Sequence, residues 1–183
     1  MNLILPADLE WLQREQFHHD AVAHGDIAAL PMRRQLVHFT LHLSKYQGSL
    51  LKALRSGEAQ KTQRIITDSF IVLLATANAL GKSPRIFSAG RPASLSYLRS
   101  PEALMSAYIE VVGEMSKACE AFDDDENYPS HGMLYTCMST LCRIVIALAN
   151  VHEVPLLETV PHRWSQVERR MDLRRAARIA EVA

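Results

Sequence analysis

Two histidines four residues apart are the first side chains whose type and spacing suit chemistry. His38 and His42 occur in the stretch HFTLH, and residues four apart share one face of a helix. Such a pair binds zinc or iron when other ligands join it, and His18, His19 and His24 are the candidates. The stretch lacks the glutamate of an HExxH motif. Packing at a helix interface is the commoner role for such a pair, so metal binding stays an open alternative.

An arginine-rich segment from residue 162 onward is the second such feature. It contains Arg163, Arg169, Arg170, Arg174, Arg175 and Arg178. A helix of this kind can contact phosphates, but no series of aromatic residues for base stacking accompanies the arginines. We therefore predict an exposed terminal helix without nucleic-acid binding. Its apolar edge, with Trp164, Val167 and Met171, is expected either to join two chains in a homodimer or to fold back on its own bundle.

Two other kinds of site find little support. Residues 123–126 read DDDE but lack the alternating ligands and central glycine of an EF-hand, so a solvated turn is predicted. The cysteines, Cys119, Cys137 and Cys142, are odd in number and lack CxxC or zinc spacing. Each falls in an apolar helical stretch, which predicts packed, reduced thiols. The sequence has no Walker A, dinucleotide-binding or GxSxG motif.

The elements that must position these side chains are predicted to be helices. Seven glycines in 183 residues, with few long β-branched runs, argue against a many-stranded sheet. Apolar residues at helical spacing predict core helices at 31–54, 58–80, 101–122 and 132–151. The second of these is apolar on most sides, which predicts a central position. Gly81 suits its C-terminal cap.

Two terminal helices are expected to flank this core. The first begins near Pro6, a residue favoured in a first helical turn, and places Leu9, Leu12 and Phe17 on one side. The last is predicted to begin near Pro161 and to run almost to the end of the sequence.

The second half of the sequence repeats the first. HLSKYQGSLLKAL at 42–54 matches AYIEVVGEMSKAC at 107–119, and FIVLLATANALG at 70–81 matches CRIVIALANVHE at 142–153. The aligned pairs include Gly48 with Gly113, Lys52 with Lys117, and Asn78 with Asn150. A glycine within a helix costs about 1 kcal/mol relative to alanine, so Gly48 and Gly113 are predicted to mark close approaches between helices. Chance agreement between two amphipathic hairpins is the alternative.

The repeat organises the expected fold. We predict one all-α domain, 1–183, forming a helical bundle of two pseudo-symmetric hairpins plus terminal helices. The hairpins span 31–81 and 101–153, and 82–100 is the linker.

The stretch EVVGEMSKACEA at 110–121, followed by a long apolar helix, resembles the first motif of the MazG-like all-α nucleoside triphosphate pyrophosphohydrolases. That motif reads approximately EExGEL, and an ExxD motif opens the next long helix. The resemblance covers about 40 residues in each half. It implies hydrolysis of a nucleoside triphosphate to the monophosphate and pyrophosphate, with four acids holding Mg²⁺.

The second half departs from this pattern at three of its four acid positions. The paired acids of the first motif fall on Val111 and Glu114, and those of the second fall on Cys137 and Thr140. Glu110 matches a glutamate that is not a ligand. Only Glu114 remains as a candidate metal ligand.

The first half departs to the same extent. Its first motif falls on Tyr46 and Ser49, and its second on Ile65 and Asp68. Asp68 is the second candidate metal ligand, and a composite Mg²⁺ site would require Asp68 and Glu114 to meet.

Two functional hypotheses follow. The leading one is a MazG-like protein that has lost catalysis and binds a nucleotide or a protein partner. The residues assigned to that binding are Glu110, Lys52, Lys117, Asn78 and Asn150. The alternative is an active, Mg²⁺-dependent pyrophosphohydrolase. Ordinary surface charge also explains the acids near Glu114.

Charge and hydropathy restrict partners and location. Basic and acidic residues number 20 each, which predicts neither a nucleic-acid binder nor an enzyme for acidic substrates. The apolar stretches 65–80 and 133–149 are shorter than the roughly 20 residues of a membrane span. The first five residues are too short for a signal peptide. We expect no membrane partner and a cytoplasmic protein.

Overall fold

The computed structural model describes residues 4–82, 100–124 and 130–182. For residues 123–124 and 173–182 it describes the backbone alone. These residues form seven helices and no strand. The helices are α1 (Pro6–Ala23), α2 (Gly25–Ala28), α3 (Met32–Arg55), α4 (Ala59–Ala79), α5 (Pro101–Asp124), α6 (Ser130–Val151) and α7 (Leu156–Val182). The predicted all-α class is confirmed.

Helix α4 lies at the centre of the bundle, as its apolar pattern predicts. It packs against α1, α3, α6 and α7. Between Ile65 and Ala77 all its residues except Ile71 are buried. A helix that is apolar on most sides must be covered on most sides, and four neighbours supply that cover.

The four predicted core helices form two packed pairs. Helix α3 packs mainly on α4 and α5 mainly on α6, while α3–α5 and α4–α6 contacts join the pairs. Whether the two pairs superpose by a rotation stays a prediction. The predicted linker 82–100 lies, apart from its two ends, outside the described residues.

The ends of two helices show how local sequence sets the boundaries. Gly81 has a φ of 60° and donates its N–H to the carbonyl of Asn78 at 3.0 Å, in line with the predicted cap. The predicted start of the last helix near Pro161 is wrong. The carbonyl of Pro155 accepts the N–H groups of Glu158 and Thr159, so α7 begins at Leu156 and contains Pro161 in its second turn.

The packed side of α1 differs from the prediction at one residue. Leu9 and Leu12 are buried, but Phe17 is 61% exposed. The stripe that faces the bundle continues through Gln16 and His19, at alternating steps of three and four residues. Two polar side chains are therefore held inside, and Phe17 is displaced to the surface.

The prediction that Gly48 and Gly113 mark close helix approaches is also wrong. A Cβ atom added at either glycine meets no other atom within 4 Å, and both residues are exposed. No neighbouring helix approaches either glycine closely, so their recurrence has no packing cause.

Replacing these glycines should stabilise the fold. We expect Gly48→Ala and Gly113→Ala each to raise the free energy of unfolding by about 0.5–1 kcal/mol, because alanine restricts the unfolded chain and favours the helix. Gly81→Ala, at positive φ, is the control and should lower it by about 1 kcal/mol. Urea unfolding measures all three. A loss of stability in both helical variants would contradict the open space seen around the glycines.

Helix α6 carries the most apolar sequence of the described chain. By length and composition alone it could cross a membrane, with a mean hydropathy of 1.6 in its most apolar window. Yet 56% of that window is buried inside the bundle, as in the core helix of a soluble protein. Its hydropathy is therefore weak support for a membrane span.

The three cysteines behave as packed apolar residues. Cys119, Cys137 and Cys142 are free thiols and all are buried. Burial raises the pKa of each thiol, which keeps it protonated and weakly nucleophilic.

Candidate functional site: a cavity lined by histidines

A cavity of about 750 Å³ opens between the first hairpin and the terminal helices. Its walls come from α1, α2, α3, α4 and α7. Four of its lining side chains are imidazoles, those of His19, His24, His38 and His42. None of the walls comes from α5 or α6, so this site belongs to one half of the predicted repeat.

An ion pair between α4 and α7 forms part of the cavity wall. The Nε of Arg163 donates to Oδ1 of Asp68 at 2.6 Å, and its Nη2 donates to Oδ2 at 3.3 Å. The two side chains are only 13% and 11% exposed. Arg64 approaches the same carboxylate at 3.7 Å from a more exposed position. The charge of Asp68 is therefore already balanced by protein cations.

A second contact fixes α7 against α1. The indole N–H of Trp164 donates to Oε1 of Gln16 at 2.7 Å. The Trp164 ring stacks on His19 with centroids 6.0 Å apart. His19 Nδ1 in turn lies 2.9 Å from Oε1 of Glu168. Helix α7 thus folds back on its own bundle through Trp164, one of the two arrangements expected for its apolar edge.

His38 and His42 face each other on the α3 wall. Their ring centroids are 4.6 Å apart, and His42 also meets the edge of Tyr46. Burial, reinforced by Lys45, His38 and His24, lowers the pKa of His42 to about 4. Its ring is therefore neutral at neutral pH.

The other histidines and acids do not complete a metal site. Within the described stretches, no group of three or more histidine, cysteine, aspartate or glutamate side chains is arranged to hold a metal ion. His18, a predicted third ligand, does not line the cavity. His38 and His42 are paired, as their spacing predicts, but they lack a third partner among these residues.

Asp20 and His24 lie at the α1 end of the cavity. Oδ1 of Asp20 accepts a hydrogen bond from Nε2 of Gln16 at 2.8 Å. Burial raises the pKa of Asp20 despite this bond, and it lowers the pKa of His24. Both shifts favour uncharged side chains at this end.

The cavity includes two of the four positions that the sequence resemblance assigns to acids in the first half. Tyr46 and Asp68, two of those four positions, line it, whereas Ser49 and Ile65 do not. Burial and the nearby Asp68 carboxylate raise the pKa of Tyr46 to about 12. Tyr46 is therefore protonated at neutral pH, at a position where the resemblance leads us to expect a carboxylate.

Two of the seven sequence-predicted site residues belong to this cavity. They are Asp68 and Asn78, whose amide donates to the carbonyl of Gln13 at 3.0 Å. The other five lie elsewhere: Glu110, Glu114, Lys52 and Lys117 are exposed, and Asn150 is half-buried on α6. Lys117 borders a separate groove of about 580 Å³ between α3 and α5. Asp68 and Glu114 thus lie on different parts of the bundle.

Sequence reasoning missed Arg163 and Trp164 as site residues. The sequence pattern assigns both residues to the basic terminal segment, and neither belongs to a known functional motif. The available signal was an arginine next to a tryptophan in the first half of an amphipathic helix.

Comparison with known proteins gives no relative from which to transfer a function. No family model matches the sequence, and no curated protein or solved structure matches it either. The geometry of the cavity is therefore the basis for assigning a function.

The pKa of His42 predicts how stability depends on pH. Its folded-state pKa of about 4 lies below the usual value near 6.5. The unfolded chain therefore binds the proton more readily between these values, and stability is lost as the pH falls through this window. One proton gives a slope of at most about 1.4 kcal/mol per pH unit in the free energy of unfolding. The slope from His42 should be smaller than this limit because its ring keeps some solvent contact.

Urea unfolding between pH 4.5 and 7.5 tests this. We expect His42→Gln to reduce the slope of the free energy of unfolding against pH. His131→Gln, at an exposed histidine, should leave that slope equal to the slope of the unmodified protein. The raised pKa of Asp20 acts in the opposite direction, since protonation favours the folded state, so the difference between variants is the quantity to compare. Equal slopes for both variants would contradict the assignment to His42.

Proposed function

We propose that this protein is a MazG-like helical protein that has lost the metal centre of a pyrophosphohydrolase and binds a nucleotide in the first-half cavity. One observation carries the proposal. The acid positions Tyr46 and Asp68 border an open cavity, and the remaining acid is paired with Arg163. The carboxylate that would hold Mg²⁺ in the family pattern is thus engaged by an arginine cation.

The cavity has the size and lining of a small-molecule site. A volume of about 750 Å³ falls within the range of about 300–1,000 Å³ that is usual for such ligands. Aromatic rings of Phe39, Tyr46 and Trp164 line it together with the amide of Asn78. Rings for stacking and a few polar groups for orientation suit a nucleoside.

The residues present do not fit Mg²⁺. Magnesium prefers carboxylate and phosphate oxygens, but Tyr46 offers a protonated phenol and Ser49 and Ile65 offer no carboxylate. Asp68 is committed to Arg163. In the second half Glu114 stands alone at its motif positions. Without a metal, the family's route to an activated water is missing.

The remaining expectations accompany this proposal. A protein partner is the other class of ligand, a homodimer of whole chains remains a prediction, and the expected compartment is the cytoplasm. Nucleic acid is not an expected partner, because the formal charges balance.

Binding and catalysis can be tested separately. We expect nucleotides to raise the melting temperature in a scan with the eight common ribo- and deoxyribonucleoside triphosphates and the matching monophosphates. Ala79→Leu should abolish the increase by filling the cavity, because Ala79 lines it. Ala147→Leu, at a half-buried residue of α6 away from the cavity, is the matched control. If no nucleotide raises the melting temperature, the proposal fails.

Pyrophosphate release decides between the degenerate protein and the active enzyme. The same triphosphates are incubated with Mg²⁺ or Mn²⁺, and we expect no release above the uncatalysed rate. Release that disappears in Asp68→Asn or Glu114→Gln would overturn the loss of catalysis and support a pyrophosphohydrolase.

A further inference from the structure

The charges around the cavity restrict which end of a nucleotide enters it. Among the described lining residues the carboxylates are Asp20, Asp26 and Asp68, and Arg163 is the single arginine or lysine. The pKa values of His42 and His24 are both lowered, which favours the uncharged form of these two rings. Formal acids therefore outnumber permanent cations by three to one.

The lone arginine already donates from all three of its nitrogens to other side chains of the protein. Its Nε and Nη2 donate to Asp68, and its Nη1 donates to Oε1 of Gln166 at 3.1 Å. Arginine recognises phosphate through the same two-pronged geometry. A phosphate that engaged Arg163 would leave Asp68 without its closest cation in a largely buried position, which is unfavourable.

The lining is better suited to an uncharged planar ring. Tyr46 and Phe39 present aromatic surface on α3, and Phe17 stands 61% exposed at the α1 rim. Nδ1 of His42 faces Nζ of Lys45 at 3.5 Å, which leaves the Nε2 N–H of its neutral ring as a donor, and the side chain of Asn78 offers its amide oxygen as an acceptor. These groups match the stacking and edge hydrogen bonding by which proteins hold an unpaired base.

From this, and resting on the proposed function, we infer that the cavity recognises the nucleoside part of its ligand and leaves the phosphates outside, without a bridging metal. The ligand class is a nucleoside or nucleoside monophosphate. Triphosphates bind more weakly because their added negative charge is placed near the exposed carboxylate of Asp26.

Calorimetric titration without divalent metal tests the order of affinities. Nucleosides, monophosphates and triphosphates of each base are compared on the full chain at pH 7.5. We expect nucleosides and monophosphates to bind within about three-fold of each other and triphosphates about ten-fold more weakly, the size of a modest charge repulsion. Asp26 is an exposed acid that lines the cavity. Asp26→Asn should therefore reduce the difference in affinity between monophosphates and triphosphates.

Aromatic recognition has a matched pair of variants. Phe17→Ala should weaken nucleoside binding about ten-fold by removing a stacking surface. Leu41→Ala removes an equally exposed apolar side chain, 64% against 61%, outside the cavity and should change nothing. Neither residue belongs to the core, so both variants should fold.

The outcomes separate the two proposals. If triphosphates bind most tightly, with or without Mg²⁺, the nucleoside inference is overturned and nucleotide binding stands. If no nucleoside and no nucleotide binds, the proposed function fails together with the inference.

Discussion

Arg163→Met should lower the free energy of unfolding by about 3 kcal/mol, the lower end of the cost of breaking a buried ion pair. The substitution keeps much of the side-chain length but removes both hydrogen bonds to Asp68. A carboxylate only 11% exposed would then retain Arg64 as a distant partner at 3.7 Å. The loss should therefore come mainly from the unpaired charge of Asp68.

A double-mutant cycle isolates this cause. Asp68→Asn together with Arg163→Met should be less destabilised than the sum of the single variants, because no unpaired charge remains. Arg169→Met is the control, since Arg169 is exposed on the same helix and should change stability by less than about 0.5 kcal/mol. Additive losses in the cycle would show that the pair is not coupled.

Trp164→Ala should be at least as damaging, with an expected loss of about 4 kcal/mol from removing a buried aromatic side chain. Trp164 is 8% exposed and contacts both Trp11 and His19 through its ring. Its loss would also leave Oε1 of Gln16 without its indole donor. The expected result is a helix α7 that separates from α1 before the rest of the bundle unfolds.

Trp164→Phe separates packing from hydrogen bonding. Phenylalanine keeps an aromatic ring but cannot donate to Gln16, so a smaller loss of about 1–2 kcal/mol is expected. Hydrogen exchange on α1 and α7 measures their separation directly, and urea unfolding gives the total. If Trp164→Ala unfolds α3 to α6 at the same denaturant concentration as α7, the independent loss of α7 is refuted.

The helices could be predicted because their signals are local. Apolar residues at steps of three and four place α3, α4, α5 and α6 within a few residues of their observed ends, and Gly81 marks a stop through its own backbone conformation. The start of α7 is harder to predict because two prolines, Pro155 and Pro161, both suit the beginning of a helix. The sequence does not show which carbonyl begins the hydrogen-bond ladder.

The site could be predicted only in part because its contacts join distant segments. The resemblance identified Asp68 as a candidate ligand, and Asp68 does line the cavity. Its partner Arg163 lies 95 residues further along the chain, and Gln16 lies 148 residues from Trp164. Contacts between residues so far apart in the sequence produce no periodic pattern by which they could be predicted. Gly48 and Gly113 illustrate the opposite error, where a recurring residue suggested a contact that packing does not make.

The contribution of α7 to the cavity wall has a consequence for protein synthesis. A chain emerging from the ribosome exposes α1 to α6 first, and their apolar faces can pack before α7 appears. Arg163 and Trp164 follow α6 in the chain, so Asp68 and Gln16 are without these two partners until α7 has emerged. The wall of the cavity is therefore complete only after α7 has emerged from the ribosome and packed on α1 and α4.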